Sequence, residues 1–198
     1  MKVFELKGKS RAIEARSSAQ KRSLKSLRKN KELPAVLYGG NEVVHFSITS
    51  DAVRGLIYTP EVHLVDLEID GKKRMAIVKD MQFQPVTDEL LHMDFQEISA
   101  DKPVVIEVPV ALQGYAEGVK AGGKLTLRMR KLRVKALYNN LPEKLIINVD
   151  NLGLGKSMQV GELTFEGLEL MNAKNAVVCT VQLTRAARGA AAAAAAGK

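Results

Sequence analysis

The stretch Val65-Asp66-Leu67-Glu68-Ile69-Asp70-Gly71 constrains the fold more than any other part of the chain. Its apolar residues at 65, 67 and 69 fall on one side of an extended backbone and its carboxylates at 66 and 68 on the other. That period-two pattern is the mark of a strand with one dry face. Asp-Gly is a preferred pair for a two-residue hairpin turn, because both residues tolerate positive φ. The expected partner is a returning strand from Met75 to Val78, and the expected fold around it is mainly β.

The rest of the first hundred residues supports that reading. Val3 to Leu6 reads as a first strand. Arg16 to Lys31 reads as a basic helix whose Leu24 and Leu27, three apart, can seat on a core while Lys25, Arg28 and Lys29 face outward. Leu33-Pro34-Ala35-Val36-Leu37-Tyr38-Gly39-Gly40 reads as a loop, a buried strand and a turn. Val43 to Thr49 continues as strand, Thr49 or Ser50 can cap a short helix through Ile57, and Leu90 to Ile98 is another strand. The result is a compact, mainly β unit with one or two helices.

After Ser99-Ala100-Asp101-Lys102-Pro103 the pattern restarts. Val104 to Leu112 is strand-like, with Pro109 expected at an edge or bulge. Gly114 to Lys124 is expected as a glycine-rich loop. Lys131 to Leu137, Leu145 to Val149, Gln159 to Phe165 and Ala176 to Leu183 are expected strands. Three segments are therefore expected: a domain over 1–99, a separate all-β domain over 100–184, and a flexible Ala-rich tail over 185–198.

Charge is distributed unevenly over these segments. Residues 1–33 carry 11 basic and 3 acidic side chains, residues 34–100 carry 5 and 11, and residues 101–198 carry 14 and 8. A dense basic arm on an acidic body suits the binding of a polyanion; the plainer alternative is a solubilising arm. No run is apolar enough to span a bilayer, the first ten residues lack a secretory apolar stretch, and Cys179 is the single cysteine. A cytoplasmic protein without a membrane partner is the expectation.

Catalytic motifs fare poorly. Gly155-Lys156-Ser157 resembles the end of a phosphate-binding loop, but Asp150 stands where that motif needs glycine, and a tight β-turn is the better reading. His92-Met93-Asp94 puts two polar side chains on one strand face. A metal there would need further ligands, and the other histidines are only His45 and His63. No serine sits in a Gly-x-Ser-x-Gly elbow. The pair is therefore either a structural couple or an RNA contact; a hydrolase or metal enzyme built on His92 and Asp94 is the remote alternative. No cofactor and no small-molecule substrate are implied. Aromatic residues make up 5% of the chain and tryptophan is absent, which argues against stacking on single strands and for reading folded RNA through phosphates and grooves. Tyr38 could serve that surface or the core. Arg128, Arg130, Lys131, Arg133 and Lys135 form a second basic stretch, either a solvated sheet face or a secondary contact.

Three elements in combination carry a resemblance. The basic arm followed by Leu33-Pro34-Ala35-Val36-Leu37-Tyr38-Gly39, the run Lys79-Asp80-Met81-Gln82, and Leu91-His92-Met93-Asp94-Phe95 resemble the bacterial ribosomal protein family L-twenty-five, which binds 5S rRNA. Ala116-Glu117-Gly118-Val119-Lys120-Ala121-Gly122-Gly123 resembles the extra domain of its long form, the general stress protein CTC. The resemblance covers roughly residues 1–184. It implies a β-barrel that binds 5S rRNA in the central protuberance of the large ribosomal subunit, followed by a β-rich second domain. It also implies RNA-binding roles for Arg16, Arg28, Lys29, Tyr38, Lys79, His92 and Asp94, with Arg11 the alternative to Arg16; Lys25, on the same outward helix face, is the further expected contact. A glycine usual in the family before the proline strand is replaced around Asn30-Lys31, and the alanine tail has no counterpart. A free RNA-binding stress-response protein is the alternative function.

Overall fold

The computed structural model describes residues 2–12, 18–100 and 102–185. These divide into two compact units, one running to Val104 and including Leu137–Asn139, the other formed by Val105–Ala136 and the described residues from Asn140 onward.

Six strands build the first unit: β1 (Val3–Ser10), β2 (Glu32–Tyr38), β3 (Val44–Thr49), β4 (Leu64–Ile69), β5 (Lys72–Phe83) and β6 (Leu90–Glu97). They close into a barrel in the order β1-β3-β2-β6-β5-β4. Two of its seams are parallel: β1 runs beside β4 with Val3 opposite Leu64, and β2 runs beside β6 with Val36 opposite Asp94. Alternation sends Leu33, Ala35 and Leu37 of β2, Val65, Leu67 and Ile69 of β4, and Met93 and Phe95 of β6 into the interior, where all are buried. Phe46 and Phe95 meet there with ring centroids 5.7 Å apart and planes tilted by 42°. Each such large side chain contributes about 1.5 to 3 kcal/mol by leaving water. A Cβ on Gly8 would stand 2.6 Å from the Phe46 ring, so the absent side chain at 8 makes room for that pair.

The Asp-Gly hairpin forms as expected, joining β4 to β5 with Asp70 at φ 49 and Gly71 at φ 81, both left-handed. The returning strand is longer than Met75 to Val78. Lys72 and Lys73 pair with Ile69 and Glu68 although both are exposed, and the strand continues past a bulge at Lys79 to Phe83. Backbone pairing extended these ends where side-chain alternation had faded.

Helix α1 (Ser18–Lys29) packs against β2, with Leu24 and Leu27 half-buried. It ends through hydrogen bonds from Asn30 N–H to the carbonyls of Ser26 and Leu27. The left-handed residue that follows is Lys31, at φ 59, rather than the more permissive Asn30. The helix expected through Ile57 is a single turn, α2 (Arg54–Ile57); it starts at Val53 without a side-chain cap, so neither Thr49 nor Ser50 caps it.

The described strands that follow are β7 (Val104–Gln113), β8 (Lys124–Leu127), β9 (Lys131–Ala136), β10 (Leu145–Asn148), β11 (Ser157–Gln159), β12 (Glu169–Leu170) and β13 (Val177–Gln182), which form a four-stranded sheet in the order β10-β7-β9-β12 and a three-stranded sheet in the order β11-β13-β8. Three expectations are corrected. Pro109 is not on an edge strand, since β7 lies between β10 and β9; β10 pairs only with Val110 to Gln113, so the proline removes no hydrogen bond from that ladder. The glycine-rich segment contains a helical turn, α3 (Glu117–Lys120), held as Tyr115 N–H donates to Asp150 Oδ1 at 2.7 Å and Glu117 N–H to the Asp150 carbonyl at 3.1 Å. Within Gln159 to Phe165 only Gln159 is strand, and a 3-10 turn takes over at Val160. Cys179 is fully buried, and burial raises its thiol pKa, with a smaller push from Glu162. The alanine tail lies outside the described residues, as does Arg16.

Candidate nucleic-acid interface

Strand register assembles one face of the barrel from residues far apart in sequence. On β2, Leu33, Ala35 and Leu37 point inward, which leaves Val36 and Tyr38 outward and half-buried. Val36 is opposite His45 on β3 and opposite Asp94 on β6. Asp94 in turn is opposite Asp80 on β5. A continuous outward row, His45–Val36–Asp94–Asp80, therefore crosses four strands, with about 4.8 Å between neighbours. His92 stands two residues before Asp94 on the same face, opposite Gln82.

Within this face His92 Nδ1 lies 2.7 Å from Asp94 Oδ1. A carboxylate only accepts, so Nδ1 carries the proton and Nε2 faces away from Asp94. The couple is half-exposed, which leaves the second Asp94 oxygen and His92 Nε2 for an external partner. Burial raises the Tyr38 phenol pKa, and the charges of Asp94 and then Asp80 raise it further. Tyr38 is thus held as a neutral hydrogen-bond donor. The His45 imidazole is shifted the opposite way, lowered first by burial, then by Arg11 and by His92.

Positive charge flanks this row. Lys25, Arg28 and Lys29 are exposed on α1 at spacings that put them on one helix face. The Arg28 guanidinium donates through Nη2 to the Leu91 carbonyl at 3.2 Å, tying the helix end to β6 one residue before His92. Arg28 and Lys29 also sit in the last turn, where they complement the helix dipole. On the other flank Arg11 N–H donates to the His45 carbonyl at 2.8 Å, and Arg11 Nε is buried without a partner among the described residues. Lys79 is the extra residue of the bulge between Val78 and Asp80, exposed beside the row.

The structure thus gathers Tyr38, His92, Asp94, Arg28 and Lys79 around one patch, with Lys25 and Lys29 on the adjoining helix. Arg11, the alternative to Arg16, is described and stands beside it. Sequence reasoning weighed His45 only as a metal ligand and gave Asp80 no separate role. Counting outward from the Gly39-Gly40 turn would have set His45 opposite Val36, but only the parallel β2–β6 seam, which no local pattern announces, places Asp94 there too. Among the described residues no group of three metal-ligating side chains converges. In the second unit two cations of the β9 basic stripe are partnered: Arg133 Nε lies 3.1 Å from Glu107 and Lys135 Nζ 3.2 Å from Glu169.

Residues 8–95 match the model of the Ribosomal L25p family, and residues 103–185 match that of the ribosomal protein TL5 C-terminal domain. A protein of Parabacteroides distasonis called large ribosomal subunit protein bL25 is 74% identical over 190 residues, 96% of this chain and 98% of that protein. Proteins of the same name are 64% identical in Bacteroides thetaiotaomicron, over 98% of this chain and 99% of the relative, and 60% identical in Porphyromonas gingivalis, over 96% and 98%.

Proposed function

The chain belongs to the ribosomal L25p family, and from that premise we propose that it binds 5S rRNA through the barrel face centred on Val36, within the central protuberance of the large ribosomal subunit. Its place is that of a structural constituent of the large subunit supporting translation, ribosome-associated in the cytoplasm. Membership of a structural family sets aside the hydrolase reading of His92 and Asp94.

The observation that carries the proposal is the joining of a polar row to a cationic rim. Lys25, Arg28 and Lys29 on α1, with Arg11 opposite and Lys79 at the bulge, supply phosphate contacts that position the RNA without reading its sequence. Arg16 belongs to the same basic arm and is proposed to share that role. Tyr38 donates to a phosphate or 2′-hydroxyl, and Asp94, oriented by His92, accepts from an N–H on a base edge. A shallow face with one aromatic at its end fits a helical or looped RNA better than an unpaired strand.

The test is to identify the RNA that copurifies with the full chain and to follow the protein through ribosome fractionation. Enrichment of 5S rRNA, with the protein retained in the 50S fraction after a high-salt wash, is the expected result. Recovery of mixed RNAs, with the protein free of the 50S fraction, would favour an RNA-binding stress protein acting off the ribosome.

A further inference from the structure

We infer that His45 extends the RNA site onto β3, where its imidazole receives a backbone phosphate of the structured RNA. The inference rests on the reading of this face as the RNA site and adds to it a residue that the sequence motifs leave out.

Four observations converge on it. His45 stands on the outward side of β3 directly opposite Val36, the same residue that faces Asp94 across the other seam of β2. It is therefore in the row itself rather than near it. Its ring is half-buried and has no hydrogen-bond partner among the described residues, unlike His92, which is tied to Asp94, and His63, whose Nε2 lies 2.9 Å from Thr59 Oγ1. Its backbone carbonyl holds Arg11 beside it, and the Arg11 Nε is likewise unpartnered among the described residues. Arg11, itself half-buried, and His45 thus stand together at one end of the row.

The electrostatics give the contact a signature. Besides burial, the charged or titratable groups that act on the His45 ring are Arg11 after β1 and His92 on β6, and all three disfavour its charged form in the free protein. A phosphate placed between Arg11 and His45 reverses the balance, since an adjacent anion favours imidazolium. Binding then takes up a proton from solvent. Affinity rises as pH falls through the pKa of the bound state, and levels off below the pKa of the free state.

The test measures binding of the full chain to 5S rRNA at about pH 6 and pH 8 at fixed salt, for the wild type, His45→Gln, His45→Lys and Asp94→Asn. The expected result is that His45→Gln weakens binding by roughly tenfold at the lower pH, the effect of losing one charge-assisted hydrogen bond, and less at the higher. His45→Lys should restore the loss and bind almost independently of pH. If His45→Gln binds within about twofold of wild type at both pH values while Asp94→Asn is impaired, the face is right and the His45 inference is wrong. If neither variant is impaired, the RNA lies elsewhere and both readings fall. A measurement on the unsubstituted protein guards against misfolded variants: the ring resonances of His45 are titrated with and without saturating 5S rRNA. Their midpoint should move upward by about one unit or more on binding; an unmoved midpoint overturns the inference.

Discussion

Asp80 stands directly opposite Asp94 across the β5–β6 ladder, two carboxylates facing each other on the outer surface of the barrel. Like charges at such cross-strand positions destabilise a sheet by roughly 0.2 to 1 kcal/mol. Asp80→Asn should therefore raise the stability of the free protein by a few tenths of a kcal/mol in urea unfolding. It should also lower the pKa of Tyr38, which Asp80 helps to raise. Tyrosine resonances followed through alkaline pH test this; an unmoved Tyr38 would place Asp80 away from the row.

The helix supplies the second prediction. Replacing Lys25, Arg28 and Lys29 together with alanine should reduce the slope of log K against log salt for 5S rRNA by roughly 2 to 3 units, by counterion release. Arg28 also donates to the Leu91 carbonyl, so Arg28→Ala alone should weaken binding more than Lys25→Ala. Equal effects would mean that the helix charges act only as a cloud.

A third pair of variants tests the backbone. Lys31 adopts φ 59 after α1, a conformation that costs a residue with a Cβ about 1 to 2 kcal/mol, so Lys31→Gly should stabilise the free protein by up to about 1 kcal/mol. Gly71→Ala should destabilise by a similar amount although nothing lies within 4 Å of its Cβ position, because its φ is 81. Thermal or urea unfolding reads both; shifts of the same sign would contradict the assigned conformations.

Stability should also depend on pH through His45. Its pKa in the folded protein lies below the unfolded value of about 6.5. Between the two values the unfolded chain binds more protons, so the wild type loses stability as pH falls through that window and no further below it. His45→Gln lacks this component. The gap between the urea midpoints of variant and wild type should shift in the variant's favour between about pH 8 and pH 5; a constant gap would deny the shift.

These variants fall in regions that differ in how far they could be foreseen. Asp70-Gly71 announces its hairpin because turn chemistry and alternation are local. Leu24 and Leu27 announce α1 for the same reason. Pro109 misled, because its tolerance depends on where β10 begins to pair, four residues of ladder set by a strand more than thirty positions later. The proposed RNA face divides along the same line. Lys25, Arg28 and Lys29 were legible as a charged helix, and Tyr38, Lys79, His92 and Asp94 through a family resemblance. His45 and Asp80 were not, since their roles come from cross-strand register, which a single strand does not encode.

The last prediction concerns the division of labour. Arg11, α1, Tyr38, Lys79, His92 and Asp94 all precede residue 99, whereas the β9 cations Arg133 and Lys135 are paired with Glu107 and Glu169. A segment of residues 1–99 should fold and bind 5S rRNA within about tenfold of the full chain, an allowance of roughly 1.4 kcal/mol. Residues 100–198 alone should bind weakly. A folded first fragment that loses a hundredfold or more would show that the site needs both halves.

The parallel seams of the barrel also set a schedule for the chain during its own synthesis. β1 cannot complete its pairing until β4 exists, and β2 keeps an open flank until β6 arrives. His92 and Asp94 are carried by that final strand. A nascent chain that has emerged only as far as β5 holds the cationic helix, Tyr38 and His45 but lacks the His92–Asp94 couple proposed to read base edges. On that proposal selective grip is postponed until the closing strand is delivered, and an unfinished copy leaving the ribosome has charge without the couple that would choose what it holds.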